Sequence, residues 1–172
     1  LGGQLARFQA AYPVWSKFAA GFMLLFTGMC AGRITIRYNL YTVGTCLPIP
    51  LYAIVACGIA TGGNYLAGFA ASMLLALATK NYCRAFCNGY GFDAIFRASL
   101  YLGLMPLVYA PALPLLLLLP LAVLLFRRTF REVVVATAGL LLPIFTACYV
   151  SWGSGAEFTA PLVTVGQSAI EG

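Results

Sequence analysis

Chemistry in a protein chain starts from its ionisable and nucleophilic side chains, and here they are few. The 172 residues hold 4 acids, 10 bases and no histidine. The acids are Asp93, Glu132, Glu157 and Glu171, so no carboxylate precedes position 93. Without histidine the commonest general base and metal ligand is missing. Ser72, Ser99 and Ser151 have no base beside them, so no activated nucleophile is spelled out. Of the six cysteines, Cys30, Cys46, Cys57 and Cys148 lie in apolar runs, where a thiol acts as a small hydrophobe. Cys83 and Cys87 are one helical turn apart in what reads as a polar loop. Neither a second pair nor a histidine is at hand to complete a zinc site. No glycine-rich phosphate loop is present. Asp93 and Arg97, four apart, read as a solvated ion pair on one helix face. The expectation is a chain with no metal, no cofactor and no catalytic constellation.

Composition says what these residues sit in. The chain is 62% hydrophobic and 8% charged, against about 45–50% and about 25% in soluble domains. Lipid is the expected solvent for much of this surface. The net charge of +6 does not point to nucleic acid. Its bases stand singly or in short clusters beside apolar runs, where they act as topology signals and meet lipid head groups. The expected partners are the bilayer and other membrane subunits or a second copy of the chain.

The organising stretch is 102–132, two apolar runs meeting at a corner that holds Tyr109 and Pro111. It ends in Arg127, Arg128 and Arg131. Around it the sequence predicts one all-α domain, 1–172, a polytopic transmembrane bundle of six spans. An amphipathic helix over 1–14, with Leu5, Phe8 and Tyr12 on one face, is expected to lie in the membrane interface. Spans follow near 18–32, 40–60, 65–79, 96–109, 111–126 and 133–150, and 151–172 forms an outer segment. The first and fifth are short, at about 22 and 24 Å against a hydrocarbon core of about 30 Å. Pro48 and Pro50 should break or kink the second span, and Pro120 and Pro143 should kink the fifth and sixth. Gly28 and Gly32 make a GxxxG pattern, and Gly68, Ser72 and Gly139 give other spans small faces for close packing. The spans show no clear buried charge. The ends, Leu1 and Gly172, carry no terminal features, and the chain is expected to be part of a longer one.

Charge orients the set. Arg33, Arg37, Lys80, Arg84, Arg97, Arg127, Arg128 and Arg131 fall on one side of six alternating spans, with the whole stretch 80–97 read as a loop. Arg7 and Lys17 fall on the other. That bias places the eight in the cytoplasm. Trp15 and Trp152 fall on the outer side, as head-group anchors.

A resemblance rests on Leu47-Pro48 followed by Leu51-Tyr52, and on Phe96, Arg97, Tyr101, Gly103 and Leu104. It continues with Tyr109 and Pro111, the leucine-rich run, the arginine stop, and Gly139 to Pro143. Over about 40–149 the chain resembles an uncharacterised inner-membrane family of Bacteroidota, a domain of unknown function. The helix order is also distantly similar to the membrane half of multi-pass (GT-C) glycosyltransferases. Those enzymes carry a catalytic acid in the first outer loop, and residues 1–17 contain none. The resemblance implies a bacterial cytoplasmic-membrane location. The expected role is a non-enzymatic structural or accessory subunit of an envelope complex. A GT-C-related enzyme on a lipid-linked sugar is the alternative, and a small-solute transporter the second.

Overall fold

The computed structural model describes residues 2–38, 48–60, 63–87, 91–117 and 130–171. Every regular element among them is helical: α1 (Gly2–Ala11), α2 (Pro13–Arg37), α3 (Pro48–Ala60), α4 (Tyr65–Cys87), α5 (Phe92–Val108), a 3-10 helix (Ala110–Leu117), α6 (Phe130–Gly153) and α7 (Ala160–Glu171). The expectations for Pro120, Arg127 and Arg128, for most of the fifth span and for 40–47 lie outside the described residues.

Several boundaries differ from the sequence reading. The first span is not short. Pro13 opens α2, where a missing N–H costs nothing, and the helix runs 25 residues, about 37 Å, taking in Trp15, Lys17, Arg33 and Arg37. The stretch 80–97 is not a loop, because α4 continues to Cys87 and α5 begins at Phe92. The polar residues there hide a helical face: Ala78 and Ala85 are both 1% exposed and seven apart. Tyr82 stacks on Phe86, while Lys80 and Arg84 point to solvent. Hydropathy falls in this turn, but helical periodicity does not. Cys83 therefore sits on a helix. Past the corner, Ala110–Leu117 is a 3-10 helix rather than the start of an α-helix. Pro111 and Pro114 each lack an N–H and so interrupt an i→i+4 ladder, and the chain closes a tighter i→i+3 turn instead, from the Ala112 N–H to the Tyr109 carbonyl. α3 begins at Pro48, so Pro48 and Pro50 occupy its first turn, where prolines are tolerated. α6 runs unbroken from Phe130 to Gly153 through Pro143.

Two helices, Pro13–Arg37 and Phe130–Gly153, are long and apolar enough to cross a membrane. The others are shorter or, like α4, lose apolarity in their last turns.

Contacts order the helices as α2, α4, α5, α6, with α3 against α2. α2 and α4 are parallel. The Ser16 and Tyr65 hydroxyls meet at 2.6 Å, and Ala20 packs with Leu66 and Phe69. α3 is antiparallel to α2, with Ala56 near Ala20, and Ile49 and Tyr52 over Gly32 and Gly28. α4 and α5 are antiparallel, through Ala85 with Ala94 and Ile95 at one end and Ala71 with Met105 at the other. α5 and α6 are parallel, Ile95 beside Ala136 and Phe96 beside Gly139. These directions define two ends. The C-termini of α2 and α4 and the N-termini of α5 and α6 share one, the inner end. At the outer end, α1 sits beside α5, and α7 packs on the 3-10 helix and α6. Gly155, at φ +85°, turns the chain between α6 and α7.

Candidate functional site

The two ends differ in chemistry. At the inner end stand Arg33, Arg37, Lys80, Arg84, Arg97 and Arg131, all exposed. Arg97 donates to Asp93 at 3.0 Å, an exposed i,i+4 pair of little energetic weight. At the outer end stand only Arg7 and Lys17 among the described cations, with Trp15 and Trp152 exposed.

Glu132 corrects the expectation that no charge is buried. It is 2% exposed, in the first turn of α6. The parallel run of α5 and α6 brings their N-termini together, and the positive ends of two helix dipoles favour a carboxylate there. The signal was present in the sequence: Glu132, Ala136, Gly139 and Pro143 fall at i, i+4, i+7 and i+11, one buried face. Reading Glu132 as part of an arginine-rich stop hid it.

The outer end holds a cleft of about 1630 Å³, bounded by α1, α3, α4, α5, the 3-10 helix, α6 and α7. It exists because small residues face it: Gly2 and Gly3 from α1, Ala67, Gly68 and Ala71 from α4, and Ala147 from α6. No described lining residue carries a charge. Its polar groups are hydroxyls and amides, and most of the hydroxyls are already donating. Ser72 donates to the Phe69 carbonyl at 2.8 Å and Thr146 to the Leu142 carbonyl at 2.6 Å. Thr164 and Ser168 donate to the Ala160 and Thr164 carbonyls. What these hydroxyls still offer is acceptor lone pairs. Such a lining favours binding by shape and apolar contact. The sequence reading named Gly68 and Ser72 as packing positions but did not see that they wall a cavity.

The remaining residues singled out from the sequence do not converge. Gly28 and Gly32 face Tyr52 and Ile49 of α3, an intramolecular seam. Gly139 faces Phe96 and Ser99 of α5, and across the same seam Gly103 of α5, which sequence reasoning did not mark for packing, faces Leu140 of α6. Ser99 is fully buried and donates to the Ile95 carbonyl. Cys30 and Cys148 are buried, Cys57 is exposed and Cys83 half-buried, all as free thiols. Among the described residues no three metal-ligating side chains come together. No family model matches the chain, and neither does any curated protein or solved structure.

Proposed function

We propose that this chain is a multi-pass protein of a bacterial cytoplasmic membrane, with its arginine-rich end in the cytoplasm. In this reading it serves as a non-catalytic accessory subunit of an envelope assembly. One observation carries the membrane reading: between its charged ends α2 turns its large apolar side chains outward and buries small and hydroxyl-bearing ones. Its buried positions include Ser16, Thr27 and Thr35. Its exposed ones include Trp15, Phe18, Phe22, Leu25 and Met29, each more than 60% exposed. A water-soluble helix does the reverse. Each exposed side chain of this size costs about 1.5–3 kcal/mol in water relative to burial, a cost that hydrocarbon removes.

α6 supports the same placement at the other edge of the bundle, with Val134, Phe145, Tyr149 and Val150 exposed. Aromatic pairs sit at the outer end of both: Phe8 with Tyr12 beside Trp15, and Tyr149 with Trp152 at 6.0 Å. That is where an aromatic belt meets the head groups. The face expected to hold Leu5, Phe8 and Tyr12 together is split accordingly. Leu5 packs inward against the Ala20 cluster, while Phe8 and Tyr12 are exposed.

The non-catalytic part of the reading is favoured by the uncharged cleft and by the scatter of the acids. The six-span count, the cytoplasmic side and the kinship with the Bacteroidota family are part of the same proposal.

The experiment is fractionation followed by native purification. The chain should stay in the membrane pellet through alkaline carbonate and come out in mild detergent with a second membrane protein or a second copy of itself. Release by carbonate would refute the membrane placement. Purification as a lone monomer would refute the subunit role.

A further inference from the structure

We propose that the outer cleft is a resident site for the acyl chains of a bilayer phospholipid; the inference rests on the membrane placement above. The cleft's volume of about 1630 Å³ exceeds the roughly 300–1,000 Å³ of ordinary small-molecule sites. Apolar side chains make up much of its wall, among them Leu100, Leu104, Met105 and Leu142. No described lining side chain can balance a charge inside it, so the part of the occupant that enters is neutral and apolar. A flexible hydrocarbon chain meets those terms. The cleft lies at the end that carries the exposed pairs Phe8–Tyr12 and Tyr149–Trp152, where a lipid's glycerol and phosphate would lie. Arg7 is exposed there, next to Ala6, which lines the cleft. It is one of the two described cations at this end, and a phosphate at head-group level complements it. The Ser72 and Thr146 hydroxyls already donate to backbone carbonyls, so an acyl chain packed against them leaves no hydroxyl donor unpaired.

The test uses the full chain in liposomes doped with a phospholipid that carries a diazirine on one acyl chain. Photocrosslinks are mapped by mass spectrometry. Cleft residues such as Leu104, Leu142 and Val165 should be labelled about tenfold more than Phe22 and Leu25 on the outer face of α2. Ala147→Trp and Val165→Trp should each cut the cleft signal about tenfold while α2 labelling and helix content stay unchanged. Two sites are used because α6 packs extensively on α5 whereas α7 makes few contacts with the bundle, so at least the second variant should keep the fold. Arg7→Gln should lower cleft labelling with an anionic lipid. Equal labelling of cleft and α2, or blocked variants that label like the wild type, would overturn the site. Unchanged labelling in Arg7→Gln would overturn the phosphate contact. A chain that fails to float with the liposomes would defeat the membrane reading itself, whereas one that floats and labels evenly defeats only the site.

Discussion

Two seams in this bundle are built on glycine, and they are not alike. Where α5 meets α6, the glycines face backbone. A Cβ on Gly139 would stand 2.8 Å from the Phe96 carbonyl oxygen and 3.1 Å from the Ser99 Cβ, and one on Gly103 would strike the Leu140 carbonyl. Where α2 meets α3, the glycines face side-chain ends. A Cβ on Gly32 would meet the Ile49 Cδ1 at 2.9 Å, and one on Gly28 would touch only Tyr52 and Ile49 at 3.7 and 3.9 Å. A methyl tip can rotate away, and a carbonyl held in a helical ladder cannot. The GxxxG pattern is thus the looser of the two, and glycines with no such spacing make the tighter one. Helix backbones approach closely where small residues let them, but what lies opposite decides how much the smallness matters.

The contrast can be broken at four positions. Gly139→Leu should have the largest effect. It places a branched side chain into the Phe96 backbone, and little or no folded protein should be recovered from detergent. Glu132→Ala should come next. It removes the carboxylate at the base of the same seam, where two helix N-termini converge, and should lower stability by about 1–2 kcal/mol, read as a fall in thermal midpoint in micelles. Gly32→Ala should cost less than about 1 kcal/mol, because Ile49 can shift its rotamer. Gly28→Ala should be neutral or slightly stabilising, since the new methyl finds ordinary contact and alanine favours helix by about 1 kcal/mol. If Gly28→Ala or Gly32→Ala proved as damaging as Gly139→Leu, the distinction between the seams would fall.

Most of the helices were legible from apolar runs and from the proline and glycine breaks between them. The sorting of described cations to one end was legible from their places at the ends of the apolar runs, although the structure puts them on helices rather than in loops. What was not legible follows from a shared cause: hydropathy and helical phase carry different information. Lys80, Asn81 and Arg84 end an apolar run without ending a helix, because Ala78, Tyr82 and Ala85 keep the buried phase. Glu132 was hidden the same way, a charge among arginines whose phase places it inside. The cleft was the least legible feature. Gly68 and Ser72 read as a packing face, and only the positions of α1, the 3-10 helix and α7 turn that face into a wall. Pro111 and Pro114 announced a disturbance at the corner but not its 3-10 geometry.

The central claim is that the two ends of the bundle lie on opposite sides of a membrane. With the six native cysteines replaced, single cysteines at two exposed positions test it, Arg84→Cys at the inner end and Ser154→Cys at the outer. A membrane-impermeant maleimide applied to intact bacterial cells should label Ser154→Cys at once and Arg84→Cys only after permeabilisation, and sealed inverted vesicles should reverse that order. Labelling of both positions from the same face, or of both in a soluble fraction, would contradict the account.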